Sequence, residues 1–234
     1  MWQGEPPPPR RPGGLIALDR AYWENHAAAF AVLGRLHREP PSDEALASIT
    51  GLLDEWPLPG TPGAAAGLDR LRRSRDAGED AAAVRADHDR LYGVSAVALV
   101  APYESVHRGQ DRLVFDTATL QVRESYRAIG LQAPRLNLEP DDHIGLEFDF
   151  VAQAVLRAIG SPDDAVAEAA LEPARAFLVE HLLPWAPAML VRAATTARTD
   201  FMAGIALLSS GALDSARAAF GLPAEDATGS AADR

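Results

Sequence analysis

Apolar residues recur at helical spacing along most of the chain. The clearest stripe lies between Asp141 and Ile159, where apolar positions are three and four residues apart. This spacing puts the side chains on one face of an α-helix, which then packs against a core. The stripe predicts a buried helix over Asp141 to Ile159, with these residues on its inner face: Ile144, Phe148, Val151, Val155 and Ile159.

Two helices are predicted in the N-terminal part. The first runs from about Leu15 to Leu36 and is stopped by the prolines at 40 and 41. Ser42 then caps a second helix, with carboxylates in the first turn where the helix dipole favours them. That helix is expected to end near Trp56, because prolines follow at 57 and 59.

The middle of the chain alternates between helices and loops. Gly60 to Gly67 is predicted to be a linker, and the charged stretch from Leu68 to Tyr92 is predicted to be helical, with a break near Gly78. Gly93 to Arg108 is interpreted as a structured loop. An amphipathic helix is expected from Leu113 to Ile129, with Leu113, Leu120 and Ile129 among its apolar positions and Gly130 as its stop.

Prolines divide the C-terminal part. Ser161 and Pro162 are expected to open a helix, Pro173 to divide it, and Pro184 to restart a long apolar helix through Leu208. The sequence therefore predicts an all-α fold, a single-domain globular helical bundle over residues 15–222. Residues 1–14, which are rich in proline, and residues 223–234 are expected to be disordered.

The composition and charge narrow the function classes. Apolar residues make up 47% of the 234 residues, which fits a folded domain. The net charge of -11 excludes a role in binding nucleic acid and disfavours an anionic membrane surface, whereas it favours a basic partner. There is no cysteine, so disulfides, thiolate catalysis and cysteine-bound zinc are excluded.

No segment approaches the roughly 18 apolar residues of a membrane span. Arg10 and Arg11 are followed by Pro12, and the apolar run from Leu15 to Leu18 is too short for an export signal. We therefore expect a cytoplasmic protein without stable membrane insertion.

The densest polar cluster lies between Leu138 and Glu147. His143 and Glu147 are four residues apart and share a helical face. The pair could order a helix N-terminus, belong to a binding surface, or ligate a metal together with Asp142, Glu104 and His181. A glycine inside a helix costs roughly 1 kcal/mol relative to alanine, so Gly145 favours close approach of a backbone or a ligand.

A second cluster, from Pro102 to His107, is either a capped turn or the wall of a groove that exposes a carboxylate. Together with other short motifs it carries a family resemblance. The motifs are Leu91-Tyr92-Gly93, Pro102-Tyr103-Glu104-Ser105-Val106, the stretch from Glu139 to Glu147, and His181-Leu182 with Trp185. In these motifs the chain resembles the TorD/DmsD family, over about Leu18 to Leu208, and it departs from the family pattern at His88 and Val94.

This resemblance implies a non-catalytic cytoplasmic chaperone with no cofactor of its own. Its partner would be a dimethyl sulfoxide reductase-type molybdoenzyme, whose apo form and twin-arginine leader it binds until the molybdenum cofactor is inserted. Members are monomers or helix-swapped dimers. The leader-binding residues implied, or suggested by their charge, are Pro140, Asp142, His143, Glu147, Glu104 and Tyr92, and the structural motif residues are Gly145, Pro102, Tyr103 and Ser105.

Two other functions remain open from the residues alone. One is a metal-dependent helical enzyme that uses His143, Glu147 and His181. The other is a helical scaffold without specificity for a leader.

Overall fold

A computed structural model describes residues 18–93, 98–109, 111, 113–136 and 138–223. The expected disorder of residues 1–14 and of residues 224–234 lies outside these ranges. The described helices are α1 (Arg20–Arg38), α2 (Asp43–Gly51), α3 (Pro62–Ala77), α4 (Ala81–Tyr92), α5 (Glu104–Arg108), α6 (Thr117–Ala128), α7 (Ile144–Ile159), α8 (Asp164–Ala169), α9 (Glu172–Phe177), α10 (Ala186–Thr196) and α11 (Asp200–Ala219). A 3₁₀ turn at Leu53–Glu55 and a π-helical turn at Leu178–Leu182 complete the set.

The all-α class is confirmed. Among the described residues there is no strand, and β pairing is limited to one isolated bridge between Tyr103 and His143. Helix α1 packs along α7, and α11 packs against α3 and α10. No helix in the described part of the chain combines the length and apolar character needed to cross a bilayer.

The apolar stripe of α7 is buried as predicted. Its five residues all lie in the core, and Phe148 packs against Phe30 of α1 with ring centroids 4.9 Å apart. The helix begins at Ile144 rather than at Asp141, because His143 is its extended N-cap and Asp141 and Asp142 form a turn before it.

The first two helices differ from the prediction at their ends. Asp19 caps α1 by accepting a hydrogen bond from the Tyr22 N–H, so the helix starts at Arg20 and continues past Leu36 to Arg38. The cap at Ser42 is confirmed. Helix α2 already ends at Gly51, however, and only a 3₁₀ turn follows before Trp56.

The predicted linker from Gly60 to Gly67 is wrong. Thr61 caps α3 by accepting a hydrogen bond from the Ala64 N–H, and Pro62 occupies the first helical turn, where a missing N–H costs nothing. The predicted break near Gly78 is confirmed, since this glycine ends α3 with a φ of 67°.

The amphipathic helix α6 is shorter than expected, and its buried face is different. Leu113 lies outside it, and Leu120 on it is 56% exposed. The inner face is instead formed by Thr119, Val122 and Tyr126. The stop at Gly130 is confirmed by its φ of 69°.

Three further boundaries differ. The segment interpreted as a loop contains α5 near its end, and Asp163 rather than Ser161 caps α8. The long C-terminal helix is divided into α10 and α11, because Thr199 caps a new helix there.

Candidate functional site

The structure brings together two motifs that are about 40 positions apart in the sequence. The Ile144 N–H donates to the Pro102 carbonyl at 2.8 Å, and the Glu104 N–H donates to the Asp142 carbonyl at 3.0 Å. This antiparallel pairing fixes α5 against the start of α7. The rings of Tyr103 and His143 meet edge to face, 5.2 Å apart.

The side chain of Asp142 links three helices. One carboxylate oxygen accepts the Ser105 N–H at 2.7 Å, and the other accepts the Thr119 hydroxyl at 2.7 Å. The side chain is completely buried. It therefore joins α5 and α6 to the beginning of α7, because a buried carboxylate is tolerated only when hydrogen bonds replace water.

A second buried network lies behind this pairing. Glu104 forms an ion pair with Arg108 and accepts a hydrogen bond at 3.0 Å from the ring of His181, which the π-helical turn presents. Glu147 accepts a hydrogen bond from the Trp185 indole at 3.2 Å. These contacts connect α5 and α7 to the C-terminal helices.

Burial raises the pKa of Glu147 well above its usual range, and the nearby carboxylates of Glu104 and Asp142 raise it further. Its Oε1 atom has no hydrogen-bond partner among the described residues. The raised pKa favours the protonated form of Glu147, because neighbouring carboxylates out of water cannot all be charged at low cost.

The three carboxylates expected to face a leader point inward. Glu104, Asp142 and Glu147 each have 0% exposure. The prediction of an exposed carboxylate in the segment from Pro102 to His107 is therefore wrong. Glu104 is buried, and it contacts Arg108 and His181.

The residues of the alternative function, a metal-dependent enzyme, form hydrogen bonds with different partners. His143 Nδ1 accepts the Gly145 N–H at 3.0 Å, while His181 and Glu147 belong to the internal networks. In the part of the chain that the structure describes, no group of three or more histidine, aspartate or glutamate side chains is arranged to hold a metal ion.

A pocket of about 300 Å³ opens beside the paired motifs, and we call it the His143 pocket. Three of the predicted leader-binding residues line it, Tyr92, Pro140 and His143, and Leu146 adds an apolar wall. The other lining residues are Arg38, Glu39, Pro40, His88, Asp89, Gly93, Tyr103, Arg135 and Glu139.

His143 is uncharged at neutral pH. Removal from water, together with the neighbouring His37, Arg38 and His88, lowers the pKa of His143 to about 3. His143 therefore adds no charge to those of the arginines and carboxylates that line the pocket. Burial and the Glu139 carboxylate raise the pKa of Tyr103, so its hydroxyl remains a hydrogen-bond donor.

The backbone of α1 approaches Gly145 closely, as the sequence predicted. A Cβ atom there would lie 2.4 Å from the Gly34 carbonyl oxygen and 2.5 Å from Cγ of Arg38. The absence of a side chain lets α1 come against α7, which places Arg38 and Glu39 at the pocket.

Sequence reasoning missed several residues of the pocket. Arg38 ends α1, Glu39 follows it, and Asp89 lies on α4. These residues are far from the motif in the sequence, and nothing local marks them as members of a site. Glu139 is the first residue of the motif from Glu139 to Glu147, and Arg135 stands four residues before it, so local sequence signals could have identified this pair.

The model of the nitrate reductase delta subunit family matches residues 57–190, more than half of the chain. The chain belongs to this family. Among its relatives, the TorD chaperone protein of Vibrio cholerae is 32% identical over 152 residues, covering 64% of this chain and 67% of the relative. The TorD chaperone protein of Vibrio vulnificus is 29% identical over 153 residues, covering 65% and 70%.

These relatives confirm the TorD resemblance found in the sequence. One solved structure is also similar, a protein from Archaeoglobus fulgidus described as a redox enzyme maturation protein. It has 20% identity and a TM-score of 0.38, and the match covers 72% of this chain and 96% of that chain.

Proposed function

We propose that this protein is a cytoplasmic chaperone that binds the twin-arginine leader and the apo form of a dimethyl sulfoxide reductase-type molybdoenzyme. It acts by binding rather than by catalysis, as a monomer or a helix-swapped dimer, and supports cofactor insertion before export. Membership of the family supports the chaperone role. The observation that carries the leader site is the convergence of Tyr92, Pro140 and His143 on one pocket.

The chemistry of the His143 pocket fits such a leader. Carboxylates of Glu39, Asp89 and Glu139 line it, and a carboxylate receives an arginine through two parallel hydrogen bonds. Tyr92 and Leu146 provide apolar surface for the residues beside the arginines. A peptide with paired arginines and an apolar segment needs both features in one groove.

The buried carboxylates have a different role in this proposal. Asp142 and Glu104 hold the segment that carries Pro140 and His143, so they position the pocket without contacting the peptide. Asp142→Ala is therefore expected to lower stability, because it leaves the Ser105 N–H and the Thr119 hydroxyl without their acceptor.

The proposal is tested by calorimetry of the purified full-length protein with a twin-arginine leader peptide and its twin-lysine counterpart. We expect micromolar or tighter binding of the first and roughly tenfold weaker binding of the second, since lysine lacks the planar fork of arginine. His143→Asn keeps a helix-capping side chain and removes the ring, so it should weaken binding without unfolding the protein.

Asp163→Asn is the matched control, because it changes the cap of α8, whose residues do not line the pocket. It should bind like the wild type. Equal binding of both peptides, or an unchanged affinity in His143→Asn, would contradict the proposed site.

A further inference from the structure

An arginine of the protein itself forms an ion pair with one carboxylate of the His143 pocket. Arg135 Nη1 lies 2.6 Å from Glu139 Oε1, and both residues line the pocket. Glu139 thus already makes one contact with a guanidinium, the group that an incoming arginine would present to it.

The local backbone organises this pair. The N–H groups of Leu138 and Glu139 donate to the Arg135 carbonyl at 2.9 and 3.1 Å. The resulting turn brings positions four residues apart to the same side. Pro140 follows directly, so the pair remains next to the wall of the pocket.

The pair can be displaced, because it is exposed. The side chains of Arg135 and Glu139 are 68% and 48% exposed. An exposed pair of this kind shifts an equilibrium by at most about fivefold. By contrast, Arg123 and Asp141 form a pair with 15% and 0% exposure, which belongs to the interior.

We propose that Arg135 is an internal competitor for the leader: it occupies Glu139 in the free chaperone, and a leader arginine binds by displacing it. This inference rests on the proposed function and gives Arg135 a role in limiting the affinity of the same site. Competition lowers the affinity for every cationic peptide. It lowers all of these affinities by the same factor, because each peptide displaces the same internal group, so the preference for arginine over lysine comes from the planar fork of the leader arginine.

The test measures Arg135→Gln by calorimetry with the twin-arginine and twin-lysine peptides. Removal of the competitor should tighten binding of the twin-arginine peptide about two- to fivefold. It should tighten binding of the twin-lysine peptide by the same factor, because both peptides displace the same internal group, so the ratio between the two affinities should stay the same. Thermal unfolding followed by circular dichroism establishes that the variant is folded.

Two further variants complete the test. Arg175→Gln is the matched control, since Arg175 also pairs with an exposed carboxylate in its own helix, Glu172, and lies outside the pocket. It should leave both affinities unchanged. Glu139→Gln should weaken binding of the twin-arginine peptide, and adding Arg135→Gln to it should have no further effect.

The outcomes separate this inference from the proposed function. If the wild type binds neither peptide, the proposed function fails and the inference fails with it. If the wild type prefers twin arginine but Arg135→Gln binds with equal or weaker affinity, only the competitor role of Arg135 is overturned.

Discussion

At the scale of single residues, the interior contains histidines that stay neutral because they are buried. His37 is fully buried, and it is hydrogen-bonded to Tyr92 at 3.1 Å and to Ser209 at 2.8 Å. Burial, together with the neighbouring His88, lowers the pKa of His37 to about 3. This residue connects α1 to α4 and α11 without carrying a charge.

The lowered pKa predicts a loss of stability in acid. The unfolded chain binds a proton near the ordinary pKa of 6.5, whereas the folded chain does so only near 3. Between these values the unfolded state holds more protons, so the free energy of unfolding falls as the pH falls. We expect His37 to contribute about 1.4 kcal/mol per pH unit to this fall.

The measurement is urea denaturation at several pH values between 6.5 and 3. His37→Gln keeps hydrogen-bonding groups and does not titrate, so its stability should depend less steeply on pH than that of the wild type. Identical pH dependence in the two proteins would show that His37 is accessible to protons in the folded state.

At the scale of helices, close packing depends on small residues at the crossings. Gly34 of α1 lies against Gly145 of α7, and a Cβ atom on Gly34 would be 2.7 Å from the Gly145 carbonyl oxygen. Gly67 of α3 and Gly204 of α11 likewise lie close against each other. These contacts set how near the helices approach and thereby fix the position of the pocket on α1 and α7.

Gly34→Ala is therefore expected to lower the free energy of unfolding by about 1–3 kcal/mol, because the methyl group meets backbone atoms that cannot move aside. The comparison is Gly51→Ala at the end of α2, where nothing lies within 4 Å. That change should be neutral or stabilising by up to about 1 kcal/mol. Similar stabilities of the two variants in urea denaturation would refute the packing argument.

At the scale of the whole molecule, the charge of -11 creates a field that attracts cations. A leader with paired arginines would be drawn toward the protein before contact. Such long-range attraction acts mainly on the association rate, whereas the close contacts in the pocket determine the dissociation rate.

This predicts a strong effect of salt on association. In stopped-flow measurements with the twin-arginine leader, raising NaCl from about 50 to about 500 mM should slow association, because the screening length becomes shorter than the approach distance. The dissociation rate should change much less. A leader with two glutamines in place of the arginines serves as the control and should show a weaker salt dependence. An association rate independent of salt would rule out steering by the overall charge.

Much of the fold could be predicted from local signals. The stripe of α7 from Ile144 to Ile159 indicates burial, and Ser42 and Gly130 mark helix ends, because periodicity and capping act within a few residues. The segment from Gly60 to Gly67 is mostly helical although its glycines and prolines weigh against a helix. The cap at Thr61 and the packing of glycines against α11 outweigh that local tendency.

By itself the sequence determined that this protein is all-helical and that it resembles the TorD chaperones, because helical periodicity and contiguous motifs are local properties. It also identified Tyr92, Pro140 and His143, which the fold gathers at one pocket. Only the tertiary structure decided that Asp142, Glu104 and Glu147 lie inside while Glu139 lies at the pocket. The reason is that a carboxylate is buried or exposed according to which donors distant segments bring to it, and the residues beside it in the chain do not specify those donors.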